Sequence, residues 1–389
     1  MRAAMSRPLL LLLGTALGLA LAELAVRLFD LGPHIEALPG EAYRLSDEPA
    51  LGYELAPEAP DGEARISALG LRDRDTPLAK PAGTLRIAVV GDSIAYGFGL
   101  RREESFPEQL EELLNRHFAG PGLAFEVLNF GVPGYGLAQA VESLRVRALR
   151  FAPDLAVYAY CLNDAQGYSL ELANLLARTD SAGRDYREAL AREGGRAAAR
   201  SRLYLLARYG LARLTREGRA YGEAALWHRD DPQFRALEEG RYPRYFAGLY
   251  RGEETWGPAQ ARLDALAELS RSSGVPVLVL IFPLLAELER YALGAVHVQL
   301  RAALAARSLA WLDLLPLFRA AAGADPPLAR DPLHPTARGH RLAALAVLYR
   351  LLDEGRIPGR NSRDFESLAA DLKVASRWLP ALREVALAR

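Results

Sequence analysis

The sequence predicts an α/β fold: a three-layer sandwich with a five-stranded parallel sheet between layers of helix. Three observations lead there. Short β-rich runs alternate with stretches of helical period, the pattern of βαβ units, whose parallel sheet is covered on both faces. Half of the 389 residues are apolar and a quarter charged, ordinary globular proportions that exclude a disordered, collagen-like or polytopic membrane protein. The length suits one large α/β domain with insertions, or two to three domains.

The elements follow in chain order. Arg2 and Arg7 precede an uncharged run from Pro8 to Ala22, and Leu24 to Phe29 continue the apolar pattern. A basic flank before an apolar stretch reads as a secretory signal, with Ala20-Leu21-Ala22 as a cleavage site. The competing reading is an uncleaved membrane anchor, since about 22 residues give roughly 33 Å of helix. Glu23 and Arg27, four apart, would then pair or snorkel. Residues 1–32 are therefore assigned to a signal peptide or anchor helix. Either places the rest of the chain outside the cytoplasm, tethered to the cytoplasmic membrane or free in the periplasm, and the positive flank agrees.

Residues 33–84, rich in Pro, Gly and charge, read as an irregular linker or edge segment. Strands are predicted at Leu85–Val90, Phe125–Phe130, Asp154–Tyr160, Val275–Phe282 and Leu309–Asp313. Helices are predicted at Glu103–Phe118, Leu137–Phe151 and Thr336–Leu352. Between the third and fourth strands, residues 165–272 are too many for a connector. They read as a helical insertion, with helices at Ser201–Glu217 and Pro258–Ser272 and aromatic residues enough for the small core of a cap. Residues 356–389 read as a C-terminal helical extension, leaving 85–355 as the main domain.

Composition narrows the chemistry. Lys plus Arg and Asp plus Glu both number 48, so no basic excess exists to neutralise a nucleic-acid backbone. Cys161 is the only cysteine, which excludes an intrachain disulfide and a cysteine-based metal site. His34, His117, His228 and His297 form no cluster in sequence, so neither a metal nor another cofactor is expected. Glycine-rich nucleotide loops and a G-x-S-x-G elbow are missing too.

In open parallel sheets, sites form at the carboxyl ends of strands. Gly91-Asp92-Ser93 follows the first strand, and Asn129-Phe130-Gly131-Val132-Pro133-Gly134 spans the end of the second. Cys161-Leu162-Asn163-Asp164 follows the third, and Asp331-Pro332-Leu333-His334 precedes the last helix. A serine, a histidine, an aspartate, a side-chain amide and glycine N–H donors suit acyl transfer.

This pattern resembles the SGNH hydrolases, the GDSL esterase/lipase superfamily. Four blocks stand in order: Gly91-Asp92-Ser93, Gly131, Asn163 with Asp164, and Asp331-x-x-His334. The resemblance covers roughly residues 85–355 less the insertion and implies a flavodoxin-like sheet. Two departures are Ile94 after the serine, and Cys161 where the third block usually has glycine. On this resemblance Ser93 is the nucleophile, His334 its base, and Asp331 the acceptor that orients the imidazole. The oxyanion hole is expected from the N–H groups of Ser93 and Gly131 and the amide of Asn163. Asp92 and Asn129 are read as bracing their loops, Asp164 and His340 as structural, and Cys161 as a small buried residue.

The function expected is an exported serine esterase that hydrolyses acetyl or other short acyl esters of a sugar, lipid or peptide alcohol through an acyl-enzyme. One rival is an O-acetyltransferase of envelope polysaccharide using the same site, served by a membrane acyltransferase partner. Another is a catalytically silent binding module.

Overall fold

The computed structural model describes residues 7–28, 42–166 apart from 49 and 63, 203, 236, 240–323, 327–369, 371 and 378–387. The chain divides into two compact units, Met1–Pro39 with Leu176–Glu238, and Gly40–Leu175 with Glu239–Arg389. In the first unit helix α1 spans Arg7–Leu28, and Glu23 accepts the Leu203 N–H at 2.9 Å. Leu17, Leu21, Leu24 and Leu28 of α1 are exposed. Among the described residues no helix is long and apolar enough to cross a membrane, so the expected transmembrane anchor finds no span there. The helix predicted over 201–217 lies outside the described residues except for Leu203.

The second unit begins with two small antiparallel pairs, β1 (Tyr43–Leu45) with β2 (Tyr53–Leu55), and β3 (Pro60–Asp61) with β4 (Ala64–Arg65). Strands this short carry no readable alternation. They fold because Leu51, Tyr53, Leu55 and Ile66 bury themselves against Val132 and Tyr135. The Tyr53 hydroxyl donates to Pro133 O at 2.6 Å, and the Tyr135 hydroxyl donates to Tyr53 O.

The main sheet is the predicted one. Strands β5 (Thr84–Gly91), β6 (Ala124–Gly131), β7 (Leu155–Tyr160), β8 (Val277–Ile281) and β9 (Ala310–Asp313) are all parallel, in the order β6-β5-β7-β8-β9. Continuous apolar runs such as Ile87–Val90 are buried because helices cover both faces. Gly91 pairs with Gly131 on one side and Ala159 on the other, so the ends of β5, β6 and β7 finish level. The winding reverses at β5 and β7, which opens the crevice where such sheets hold their ligands.

The helices follow from their periodicity. The short α2 (Ser93–Tyr96) leads out of β5. In α3 (Phe106–Phe118), Phe106, Leu110, Leu113, Leu114 and Phe118 form the buried stripe. The predicted helix before β7 divides into α4 (Leu137–Val146) and a 3₁₀ turn, Ala148–Phe151, ending where Ala152 turns left-handed. After α5 (Tyr242–Leu249), α6 (Glu253–Ser273) is the crossover helix into β8 and buries Ala259, Leu263, Leu266 and Ala267. Residues 240–272, read from sequence as part of the insertion, thus belong to the sheet-bearing unit. Helices α7 (Gly294–Ala305) and α8 (Leu315–Ala321) flank β9. The last helix of the sandwich, α9 (Ala337–Asp353), starts at Thr336, whose hydroxyl accepts the Gly339 N–H, and is buried from Leu342 to Leu352. Two further helices, α10 (Ser362–Leu368) and α11 (Leu379–Leu387), close the C-terminus through buried Phe365, Leu382 and Val385.

Candidate active site

Ser93 is the first residue of α2, directly after β5. Asp92 caps that helix by accepting the Ile94 N–H at 2.8 Å. Gly97 ends it in the left-handed region (φ 82°), where its N–H reaches back to Ser93 O and Ile94 O. A one-turn helix needs such bracing at both ends. The rest comes from Arg72, buried and ion-paired to Asp61 at 2.8 Å. Its guanidinium donates to the carbonyls of Tyr96, Gly97 and Leu100. The segment before the sheet therefore holds the far end of the serine's helix, a role its sequence texture did not disclose.

The serine meets its partners directly. Ser93 Oγ lies 2.9 Å from His334 Nε2, and His334 Nδ1 lies 2.8 Å from Asp331 Oδ2. The second oxygen of Asp331 accepts the N–H groups of Leu333 and His334, both at 2.8 Å. One carboxylate thus folds the turn and orients the ring. Burial alone would raise the Asp331 pKa, but the imidazole charge and these hydrogen bonds outweigh it and hold the carboxyl below its ordinary value. Phe98 packs on the imidazole, ring centres 5.0 Å apart.

Gly131, expected to offer its N–H to an oxyanion, has already given it to Asn129 Oδ1 at 2.9 Å. Its missing side chain serves another purpose: a Cβ there would run into the backbone of Ala95 and Tyr96 at the end of α2. In the loop that follows, Val132 N–H goes to Gly91 O and Tyr135 N–H to Val132 O. Gly136 N–H goes to Gln139 Oε1 and Leu137 N–H to Asp164 O, while Pro133 has no N–H. The Gly134 N–H is left without an acceptor among the described residues. Pro133-Gly134 is the centre of a type II turn, with Gly134 at φ 79°. That dipeptide is a turn signal visible in sequence and could have directed attention to residue 134.

Asn163 sits in the turn after β7, where Asp164 N–H bonds Cys161 O and Gln166 N–H bonds Asn163 O. Its own Oδ1 is buried without a partner among the described residues. An amide held by its backbone but not by its side-chain atoms is available to a bound group. Beneath it, Asp164 accepts from the Tyr158 hydroxyl at 2.5 Å and from Cys161 N–H at 3.1 Å. Burial, then repulsion from Asp92, pushes the Asp164 carboxyl well above its usual range. Asp92 is itself pushed up to about 6, chiefly by burial.

The remaining titratable groups have structural surroundings. Burial raises the Cys161 thiol, which disfavours the thiolate a nucleophile needs. Buried His340 accepts the Phe106 N–H at Nδ1 and is pushed down to about 3, so it is neutral. Asn129 accepts from Gly131 N–H, donates its side-chain amide to Ala95 O and donates its backbone N–H to Asp73 Oδ2, which makes it a brace. Among the described residues no group of three or more His, Cys, Asp or Glu could hold a metal ion.

Residues 89–342 match the GDSL-like lipase/acylhydrolase family. No curated protein sequence matches the chain significantly. Among solved structures, that of TesA is 15% identical with a TM-score of 0.36, covering 74% of this chain and 99% of its own. A point mutant of the acetyl-xylooligosaccharide esterase Axe2 from a Geobacillus species is 15% identical with a TM-score of 0.37, covering 68% and 92%. Esterase EstA from Pseudoalteromonas sp., inhibited by monoethylphosphonate, is 13% identical with a TM-score of 0.34, covering 67% and 92%.

Proposed function

The chain belongs to the GDSL-like lipase/acylhydrolase family, a carboxylic ester hydrolase therefore, and from that premise we propose that it is a serine esterase in which Ser93, His334 and Asp331 form the catalytic triad. The observation that carries the reading is the unbroken line from Ser93 Oγ through the imidazole to Asp331, at 2.9 and 2.8 Å. Ser93 Oγ attacks the acyl carbonyl while His334 Nε2 takes its proton. The imidazolium is stabilised by Asp331 and returns the proton to the leaving alcohol. Water then attacks the acyl-enzyme, His334 Nε2 taking its proton and handing it to Ser93 Oγ as the C–O bond to the serine breaks and the carboxylic acid leaves. The oxyanion is held by the N–H groups of Ser93 and Gly134 and by the Asn163 amide. As the first residue of α2, Ser93 has no intrahelical acceptor for its N–H.

The acyl group is read as acetyl or another short chain. Intact-mass analysis after fluorophosphonate treatment, with a chain-length series of p-nitrophenyl esters, tests both parts. A single adduct lost in Ser93→Ala, and rates falling with acyl length, are expected. Absence of any adduct on the folded protein would sink the serine mechanism.

Asn163→Ala is expected to lower kcat by about 10²–10³ with KM little changed, because an oxyanion donor acts chiefly in the transition state. Steady-state kinetics with a thermal melt checks this. An effect on KM alone would remove the amide from the oxyanion hole.

We also read the N-terminal segment as an export signal that leaves the enzyme in the cell envelope. The support is the arginine flank of an apolar helix whose Leu17, Leu21, Leu24 and Leu28 are exposed, a surface that water disfavours. Fractionation of expressing cells should find the protein in the envelope, open to protease from the outer side of the cytoplasmic membrane. Full-length protein recovered from the cytosol and shielded from protease would contradict export.

A further inference from the structure

A second histidine–carboxylate pair lies behind the catalytic loop and takes no part in the proposed reaction. His297, on α7, places Nδ1 2.8 Å from Asp313 Oδ1 at the end of β9. Its Nε2 lies 2.9 Å from the Tyr291 hydroxyl. The side chains of His297 and Asp313 are 1% and 4% exposed, so each polar atom there needs a partner. The other oxygen of Asp313 faces Arg301 at 3.2 Å, and Oδ1 also accepts the Leu315 N–H at 3.1 Å.

The direction of these bonds is fixed by their ends. Leu284 N–H donates to the Tyr291 oxygen at 3.0 Å. A backbone amide can only donate, and the phenol hydrogen, left over once the oxygen accepts, has its acceptor in His297 Nε2 at 2.9 Å. That nitrogen must be unprotonated to accept, which places the ring hydrogen on Nδ1, facing a carboxylate. The run from Leu284 N–H through Tyr291 and His297 to Asp313 therefore has one sense and ends on an anion, the arrangement in which successive bonds strengthen one another. Burial holds the Tyr291 phenol well above its ordinary pKa, so it keeps its hydrogen.

The consequence lies one residue on. Leu285 N–H donates to Pro332 O at 2.7 Å. Pro332 stands between Asp331 and His334, in the turn that Asp331 folds. Anchoring Leu284 anchors Leu285, and Leu285 holds the catalytic turn through the Pro332 carbonyl, a bond separate from those Asp331 makes.

We propose that Tyr291 and His297 are positioning residues for the catalytic turn, fixing the Leu284–Leu285 backbone against Pro332 so that His334 stays within reach of Ser93. This rests on the serine esterase reading above. The test measures kcat, KM, fluorophosphonate acylation rate and thermal melt on Tyr291→Phe, His297→Asn and the pair combined, with Ser93→Ala in parallel. Each single variant is expected to lower kcat and the acylation rate about tenfold with KM within about twofold, since small misplacement of a catalytic group costs rate more than binding. The combined variant should lose little more than the more impaired single, because both cut one chain. The acylation rate counts folded sites only, so partial unfolding does not obscure it. Unchanged kcat and acylation with a lowered melt would overturn the proposal, as would losses that multiply in the double variant. Full activity in Ser93→Ala would instead overturn the esterase reading.

Discussion

Ser93→Ala is expected to lower kcat on p-nitrophenyl acetate by about five to six orders of magnitude, leaving only what the oxyanion donors and binding supply. The loss is this large because no other group can take over. Cys161 is buried with its thiol pushed up, and the hydroxyl removed is the one bonded to His334. His334→Ala should cost a similar factor, and the double variant little more than either alone, since nucleophile and base act as one unit. The fold should be untouched. The α2 helix is capped by Asp92 through the Ile94 N–H, closed by the Gly97 N–H and clamped by Arg72 on the Tyr96 carbonyl, bonds that do not involve the serine hydroxyl. Kinetics on the three variants, with melts, gives the answer. A Ser93→Ala protein keeping a tenth of the native rate would mean that the nucleophile is elsewhere.

The sheet and most of the site were legible in the sequence, for physical reasons. Strands buried on both faces read as apolar runs, so β5 to β9 were found within a few residues of their observed ends. The proximity of Ser93, His334 and Asp331 was legible because the topology of such a sheet gathers distant segments at one edge and converts sequence order into proximity. Which backbone N–H stays free beside it was not. Backbone N–H groups are present at every residue, and which one stays free depends on where the others bond. Asn129 holds the Gly131 N–H, and among the described residues the neighbours of Gly134 are bonded while its own N–H is not, a difference that no residue type announces. The same holds for Arg72 and His297. Each is one of many polar residues until packing places three carbonyls around the first, and an aspartate with a tyrosine around the second. Sequence shows the apolar pattern that builds a frame, whereas polar networks are decided by contacts across the whole chain.

Asp331→Asn should lower kcat by about 10⁴ while leaving the melt nearly unchanged, and the reason is the direction of one hydrogen. Asp331 does two jobs with two oxygens. Oδ1 accepts the Leu333 and His334 N–H groups and folds the turn, whereas Oδ2 faces His334 Nδ1. Asparagine can keep the first by leaving its carbonyl oxygen at the Oδ1 position. Its NH₂ then occupies the Oδ2 position and can only donate, so His334 Nδ1 must accept and the ring hydrogen moves to Nε2. A protonated Nε2 cannot take the proton of Ser93 Oγ, which lies 2.9 Å away. The geometry survives and the chemistry stops. Asp331→Ala would lose the turn as well, through two unpaired backbone donors, and should lower both the melt and the rate. The contrast between the two variants separates the roles: a rate lost at constant stability in Asp331→Asn, and both lost in Asp331→Ala. If Asp331→Asn kept a tenth or more of the native kcat, the carboxylate would be a fold-forming cap alone, and the base would owe its orientation to another contact, such as the Phe98 ring against its face.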